Sequence, residues 1–165
     1  MRVRDCPTVE VEARIAGDPA RIWALVTDIT LPTRFSTELL AAAWLDGADG
    51  VGVGNRFVGR NRNAAIGEWE TVCTVVEVEP GRRWVWDVQG IEGVSARWGF
   101  EVDPGADAVR VRQWARMGPG RSGLSFAIDA MPDKEGRIVA RRVQEWRTAI
   151  AANLAGLRQL VETDS

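Results

Sequence analysis

Apolar and charged positions alternate from Thr8 to Ala16: Val9, Val11, Ala13 and Ile15 fall on one side, and Glu10, Glu12 and Arg14 on the other. That is the period of a half-buried strand. Gly17 ends the run. Asp18 is a helix-capping residue and Pro19 sits where a missing N–H costs nothing, so a short helix carrying Ile22, Trp23, Leu25 and Val26 is predicted next. Thr30 and Pro32 predict a second short helix to about Leu40, bearing Phe35, Leu39 and Leu40. From Ala41 the pattern becomes strands: Ala41 to Leu45, Asn55 to Asn63, Gly67 to Glu79, Arg82 to Gln89, Val94 to Asp103 and Ala108 to Met117. Turn-forming pairs such as Asp46-Gly47, Pro80-Gly81 and Pro104-Gly105 separate them, and strands so close in sequence pair as an antiparallel meander. Gly118 to Gly123 reads as a loop and Leu124 to Met131 as one or two helical turns. Finally, Val139, Val143, Trp146, Ile150, Leu154, Leu157 and Val161 recur at three and four, one apolar stripe on a long helix from Asp133 to Glu162. Arg137, Arg141, Arg142, Gln144, Arg147 and Arg158 are expected to decorate its other faces.

One strand, two short helices, six strands and a long amphipathic helix predict an α+β fold in which the helix covers one face of the sheet. Residues 1–165 are expected to form one domain with its core at about 8–162. Gly54-Asn55-Arg56-Phe57, the run from Gly67 through Val75, Glu79-Pro80-Gly81-Arg82-Arg83 and Met131-Pro132-Asp133-Lys134-Glu135 add a more specific signal. With the element order, they resemble the polyketide cyclase/dehydrase branch of the START-like (Bet v 1-like, SRPBCC) superfamily, over about Val9 to Val161. The resemblance implies a helix-grip fold: a curved seven-stranded antiparallel sheet wrapped on the long C-terminal helix, with two short helices after the first strand. It also implies an elongated cavity for an apolar ligand.

Alternation assigns faces. Phe57, Gly59 and Asn61 share a side opposite Arg56, Arg60 and Arg62, so Asn61 points inward. Trp69, Thr71, Cys73 and Val75 share the inward side of the next strand, with a bulge expected where Val76 and Val78 blur the pattern. Trp84, Trp86 and Val88 on one strand and Ala96, Trp98 and Phe100 on another form a continuous aromatic wall, while Asp87 and Arg97 face the other way. Gln113 points inward opposite Trp114. These rings either fill a core or wall a cavity, and the two amides either satisfy backbone groups or recognise a ligand. On the ligand reading, Asn61 and Gln113 are the catalytic candidates, polarising a carbonyl. The binding candidates are Phe57, Trp69, Thr71, Cys73, Trp84, Trp86, Trp98 and Phe100, with Val139 and Val143 from the helix. The resemblance places the second short helix, with Phe35, and the segment before the long helix, with Leu124 and Phe126, near the cavity mouth, where they are expected to form a movable rim.

The 165 residues hold 21 basic and 23 acidic side chains, a net charge of −2, which argues against nucleic acid as a partner. Histidine and tyrosine are both absent. Ser-His-Asp and Cys-His machinery, His-ligated zinc and a phenolic acid are therefore excluded. Cys6 and Cys73 match no metal or redox spacing, and the glycines of Gly50-Val51-Gly52-Val53-Gly54 and Gly118 to Gly123 lack the context of nucleotide loops. No cofactor is expected. No apolar run nears the roughly 20 residues of a membrane span, so a cytoplasmic monomer or homodimer is the expectation. Two functions stay open: a polyketide cyclase/dehydratase-type enzyme, or a noncatalytic carrier of a small hydrophobic molecule resembling a quinone or lipid. A third, a filled-core interaction module, has only Trp114 and Trp44 as hints of an exposed patch.

Overall fold

The computed structural model describes residues 1–163. After a 3-10 turn at Val3–Asp5, the chain runs through β1 (Thr8–Ile15), α1 (Pro19–Val26), a 3-10 turn (Leu31–Arg34) and β2 (Leu39–Trp44). It continues through β3 (Arg56–Asn63), β4 (Gly67–Glu79), β5 (Arg83–Gln89), β6 (Val94–Pro104) and β7 (Val109–Met117), then α2 (Gly123–Ala130), a 3-10 turn at Pro132–Lys134, and α3 (Glu135–Thr163). The strands form one antiparallel sheet in the order β1-β7-β6-β5-β4-β3-β2, so β1 closes onto the last strand and β2 forms the opposite edge. With α3 lying in its concavity, this is the helix-grip arrangement the resemblance implies.

Local chemistry sets the element ends. Asp18 accepts from the Ala20 N–H at 2.9 Å and starts α1. Ser122 Oγ accepts from the Leu124 N–H at 3.2 Å, Ser125 Oγ accepts in turn from the Ser122 N–H at 3.0 Å, and α2 becomes a two-turn helix. The second short helix expected to Leu40 is instead a single turn. Pro32 is tolerated only in a first turn, and from Glu38 onward the backbone bonds to β3: Arg62 N–H donates to Glu38 O at 2.9 Å, and Leu39 faces Asn61.

Curvature comes from bulges. The register of β4 on β5 shifts between Val75 and Glu77, leaving Val76 on the outside while Val75 and Val78 both turn inward. Further shifts occur at the start of β2 and the end of β5. The far end of α3 is pinned to the end of β1: Ala16 N–H donates to Glu162 Oε1 at 3.1 Å, and a Cβ on Gly17 would overlap the Val161 side chain.

On the convex face, Trp114 is a plug and not an exposed patch, being 8% exposed. Its indole lies against Gly99, where a Cβ would come within 2.6 Å of the ring, and the Arg83 guanidinium covers it at 5.4 Å. Trp44 packs edge-on against Phe57 at 5.4 Å. Of the two residues that hinted at an interaction surface, Trp114 is packed away and Trp44 is half-buried. Ile22, Val26, Leu31, Ile150, Leu154, Leu157 and Val161 form a dry core between α1, the turn after it and α3.

Candidate functional site

Between the concave face and the first half of α3 lies a cavity of about 520 Å³, within the usual range for small-molecule sites. Its wall is built from strand alternation. Trp84 on β5 faces Phe100 on β6, and Trp86 faces Trp98. Trp84 and Trp86 stack with centroids 4.2 Å apart, Trp86 and Trp98 lie nearly parallel at 6.4 Å, and Trp98 meets Trp146 of α3 at 5.1 Å. The result is a ribbon of indoles from the buried Trp84, whose Nε1–H donates to Val26 O at 2.9 Å, to the half-buried Trp86 and Trp98. Phe57 and Cys73 continue the wall on β3 and β4.

Of the residues singled out from the sequence, Asn61, Gln113, Phe57, Trp69, Thr71, Cys73, Trp84, Trp86, Trp98, Phe100 and Leu124 all line this cavity. Phe35, Phe126, Val139 and Val143 do not. Phe35 presses its ring onto Gly156, where a Cβ would overlap it. Phe126 is 64% exposed because it falls on the solvent side of α2, whereas Leu124 two residues earlier turns inward. Val139 and Val143 are buried on the packed side of α3, away from the open space. The rim is therefore made by the β3–β4 tip at Ile66 and Trp69, the β5–β6 tip from Gln89 to Ile91, and the start of α2.

Trp146 of the apolar stripe faces the cavity together with three residues the periodicity does not single out as inward, Arg142, Ala149 and Asn153, at spacings of four, three and four. Arg142 does not decorate an outer face. Its side chain is 11% exposed, and it donates to both Glu38 oxygens at 2.6 and 2.9 Å and to Glu145 at 2.7 Å. It also lies over Trp69 at 5.7 Å and Trp146 at 5.8 Å. Burial opposes its charge, but the bonds to Glu38 and Glu145 outweigh that effect and hold the guanidinium above its usual pKa. Asn63 Nδ2 joins the cluster, donating to Glu145 at 2.9 Å. This network ties α3 to β3 and to the approach of β2 beside the mouth.

The interior polar groups are amides. Asn61 is buried but makes only long contacts, 3.4 Å to Thr71 Oγ1 and 3.5 Å to Gly59 O. Gln113 Oε1 accepts from Asn153 Nδ2 at 3.2 Å, and Asn153 Oδ1 is buried with no partner. A carbonyl left so costs about 1–3 kcal/mol. Asp28 and Glu38 also reach the lining, the first already accepting from Thr30 and the second from Arg142. Burial pushes the Cys73 thiol up to about 12, the hydrogen bond with Thr71 opposing only in part, so it acts as a small apolar group. The readable signal for Asn153 is a polar side chain three residues after Ile150 and next to Leu154; for Arg142, its place four residues before Trp146.

A bent antiparallel sheet gripping one helix around an indole-walled hollow defines a cavity protein of the START-like superfamily. Within it, the chain belongs to the family described as polyketide cyclase / dehydrase and lipid transport, whose model matches residues 7–162. Among solved structures it is similar to the polyketide-cyclase-like protein Cgl2372 of Corynebacterium glutamicum, at 27% identity and a TM-score of 0.67, covering 95% of this chain and 92% of that one. A START superfamily protein from Mycobacterium smegmatis shares the fold at 12% identity and a TM-score of 0.60, covering 96% and 99%. The di-domain ARO/CYC BexL from the BE-7585A biosynthetic pathway does so at 9% identity and a TM-score of 0.71; the match covers 94% of this chain and 50% of BexL. No curated protein matches. Among the described residues, no helix is long and apolar enough to cross a membrane, and no three His, Cys, Asp or Glu side chains gather as metal ligands.

Proposed function

We propose that the protein binds a hydrophobic, aromatic or polyketide-like small molecule in this cavity and promotes its cyclisation or dehydration by holding it folded. The observation carrying the proposal is the hollow of about 520 Å³ walled by a stacked indole ribbon. Flat rings match a flat wall, and the family description and the BexL likeness point to the same chemistry. Confinement is the main catalytic resource: holding a carbon nucleophile at about 3–3.5 Å from a carbonyl removes several kcal/mol of barrier before any proton moves. Asn61 and Gln113 supply amide N–H groups for the developing oxyanion.

A second reading, a noncatalytic carrier of a quinone- or lipid-like molecule, is favoured by one feature of the same lining. Asp28, Glu38 and Arg142 are already engaged with protein partners, and Cys73 stays protonated. Glu70 also reaches the lining but is exposed to solvent, so the interior of the cavity offers shape and amides more readily than a free acid or base.

Native mass spectrometry of freshly purified protein, then tryptophan-fluorescence titration with aromatic polyketide-like compounds, tests binding. A retained small molecule or saturable quenching is expected. Neither appearing across a range of apolar compounds overturns both readings in favour of an interaction module. Turnover of a poly-carbonyl mimic, abolished in folded Asn61→Leu or Gln113→Leu, separates the enzyme from the carrier.

A further inference from the structure

Two primary amides face each other inside the cavity wall, Gln113 on β7 and Asn153 on α3, and they share one hydrogen bond of 3.2 Å. Both residues are more than nine-tenths buried, at 2% and 4% exposure. Each side chain carries one carbonyl oxygen and one NH₂ group. A single bond between them uses one donor and one acceptor, leaving Asn153 Oδ1 buried with nothing bonded to it. Exchanging the oxygen and nitrogen of both amides would only transfer the deficit, leaving a carbonyl on Gln113 and an NH₂ on Asn153 to be satisfied. The requirement for a donor belongs to the pair. Around it the lining is apolar: Trp98 and Phe100 on β6, and Trp146 and Ala149 on α3.

We infer that the Gln113–Asn153 pair is a specificity subsite for a ligand hydroxyl, so that the preferred ligands are flat apolar molecules carrying a phenolic or enolic O–H. Such a group can donate to the unpartnered carbonyl, which a group that only accepts cannot do. A ketone or ether can only accept and leaves the carbonyl stranded; a plain hydrocarbon leaves it stranded too. Discrimination is strong where a buried polar group would otherwise lose its partner. Asn153 is a positioning and recognition residue here, and Gln113 is held in place by it. The inference rests on the cavity binding an apolar molecule, as proposed above.

Calorimetric titration with 2-naphthol, 2-methoxynaphthalene and naphthalene tests it. All three should bind the wild-type protein, with 2-naphthol roughly tenfold tighter than its methyl ether, the effect of one well-made buried hydrogen bond. In Asn153→Leu, nearly isosteric and free of polar atoms, that ratio should fall to about one while naphthalene affinity holds or rises. Asn153→Ala, which also removes the carbonyl, should lose the preference as well and serves if the leucine variant does not fold. Survival of the preference in either variant overturns the subsite. Equal binding of all three by the wild type overturns it too, with water then satisfying the carbonyl, and leaves the cavity reading intact. No binding of any of them sinks the cavity reading itself.

Discussion

From Ile150 to Val161, α3 presses Ile150, Leu154, Leu157 and Val161 into a core that leaves them at most 2% exposed, whereas from Arg142 to Asn153 a neighbouring stripe of the same helix borders open space. Ala149 and Gly156 mark the contrast. They are seven residues apart on one face, both small, and their surroundings are opposite: Ala149 lines the cavity, while Gly156 carries the Phe35 ring directly on its Cα. Small size serves as vacancy at the first position and as a packing contact at the second. The same periodicity therefore gives solid core where another element reaches the helix and a hollow where only distant β-sheet faces it.

The largest effect is expected from enlarging the position that is already covered. Gly156→Leu must displace the Phe35 ring and should cost about 3 kcal/mol of stability in urea unfolding. Leu157→Ala, which empties a fully buried site beside it, should cost a comparable amount, about 2–4 kcal/mol. Equal tolerance of Gly156→Leu and Ala149→Leu would remove the contrast between the two regions.

Arg142→Met should lose about 2 kcal/mol, because Glu38 and Glu145 are left facing each other without their cation. Adding Glu38→Gln to that variant should recover part of the loss, and a strictly additive further loss would argue against the network. Ala149→Leu should change stability by less than about 1 kcal/mol, since its side chain enters existing space, yet weaken 2-naphthol binding more than tenfold. The smallest perturbation is chemical. With its thiol raised to about 12, Cys73 has only roughly one thiolate in ten thousand at pH 8, so iodoacetamide should label the half-buried Cys6 in the native state and leave Cys73 until denaturant is added. Prompt double labelling of folded protein would show the cavity wet around β4.

Alternation of period two was sufficient to place Asn61, Gln113 and every inward indole of β4, β5 and β6, because side chains on a strand have only two faces to choose from. The bulge at Val76 was readable for the same reason, as two apolar residues out of phase. The second short helix was not, because its propensity was overruled by backbone pairing of Leu39 with Asn61, a partner more than twenty residues away. Phe35 and Phe126 read as rim residues from their apolar character and from where the family resemblance puts their segments; their positions against Gly156 and on the solvent side of α2 are set by docking.

By itself, the amino-acid order determined the seven strands, the long helix, the facing of the aromatic wall and the exclusion of histidine and tyrosine chemistry. Only tertiary structure decided whether those rings enclose space or fill it, that Arg142 is drawn inward by Glu38 on a distant segment, and that Asn153 pairs with Gln113 while keeping a bare carbonyl. The division has one physical cause. Which way a side chain points is local and periodic, whereas what it meets depends on how closely two elements far apart in sequence come together.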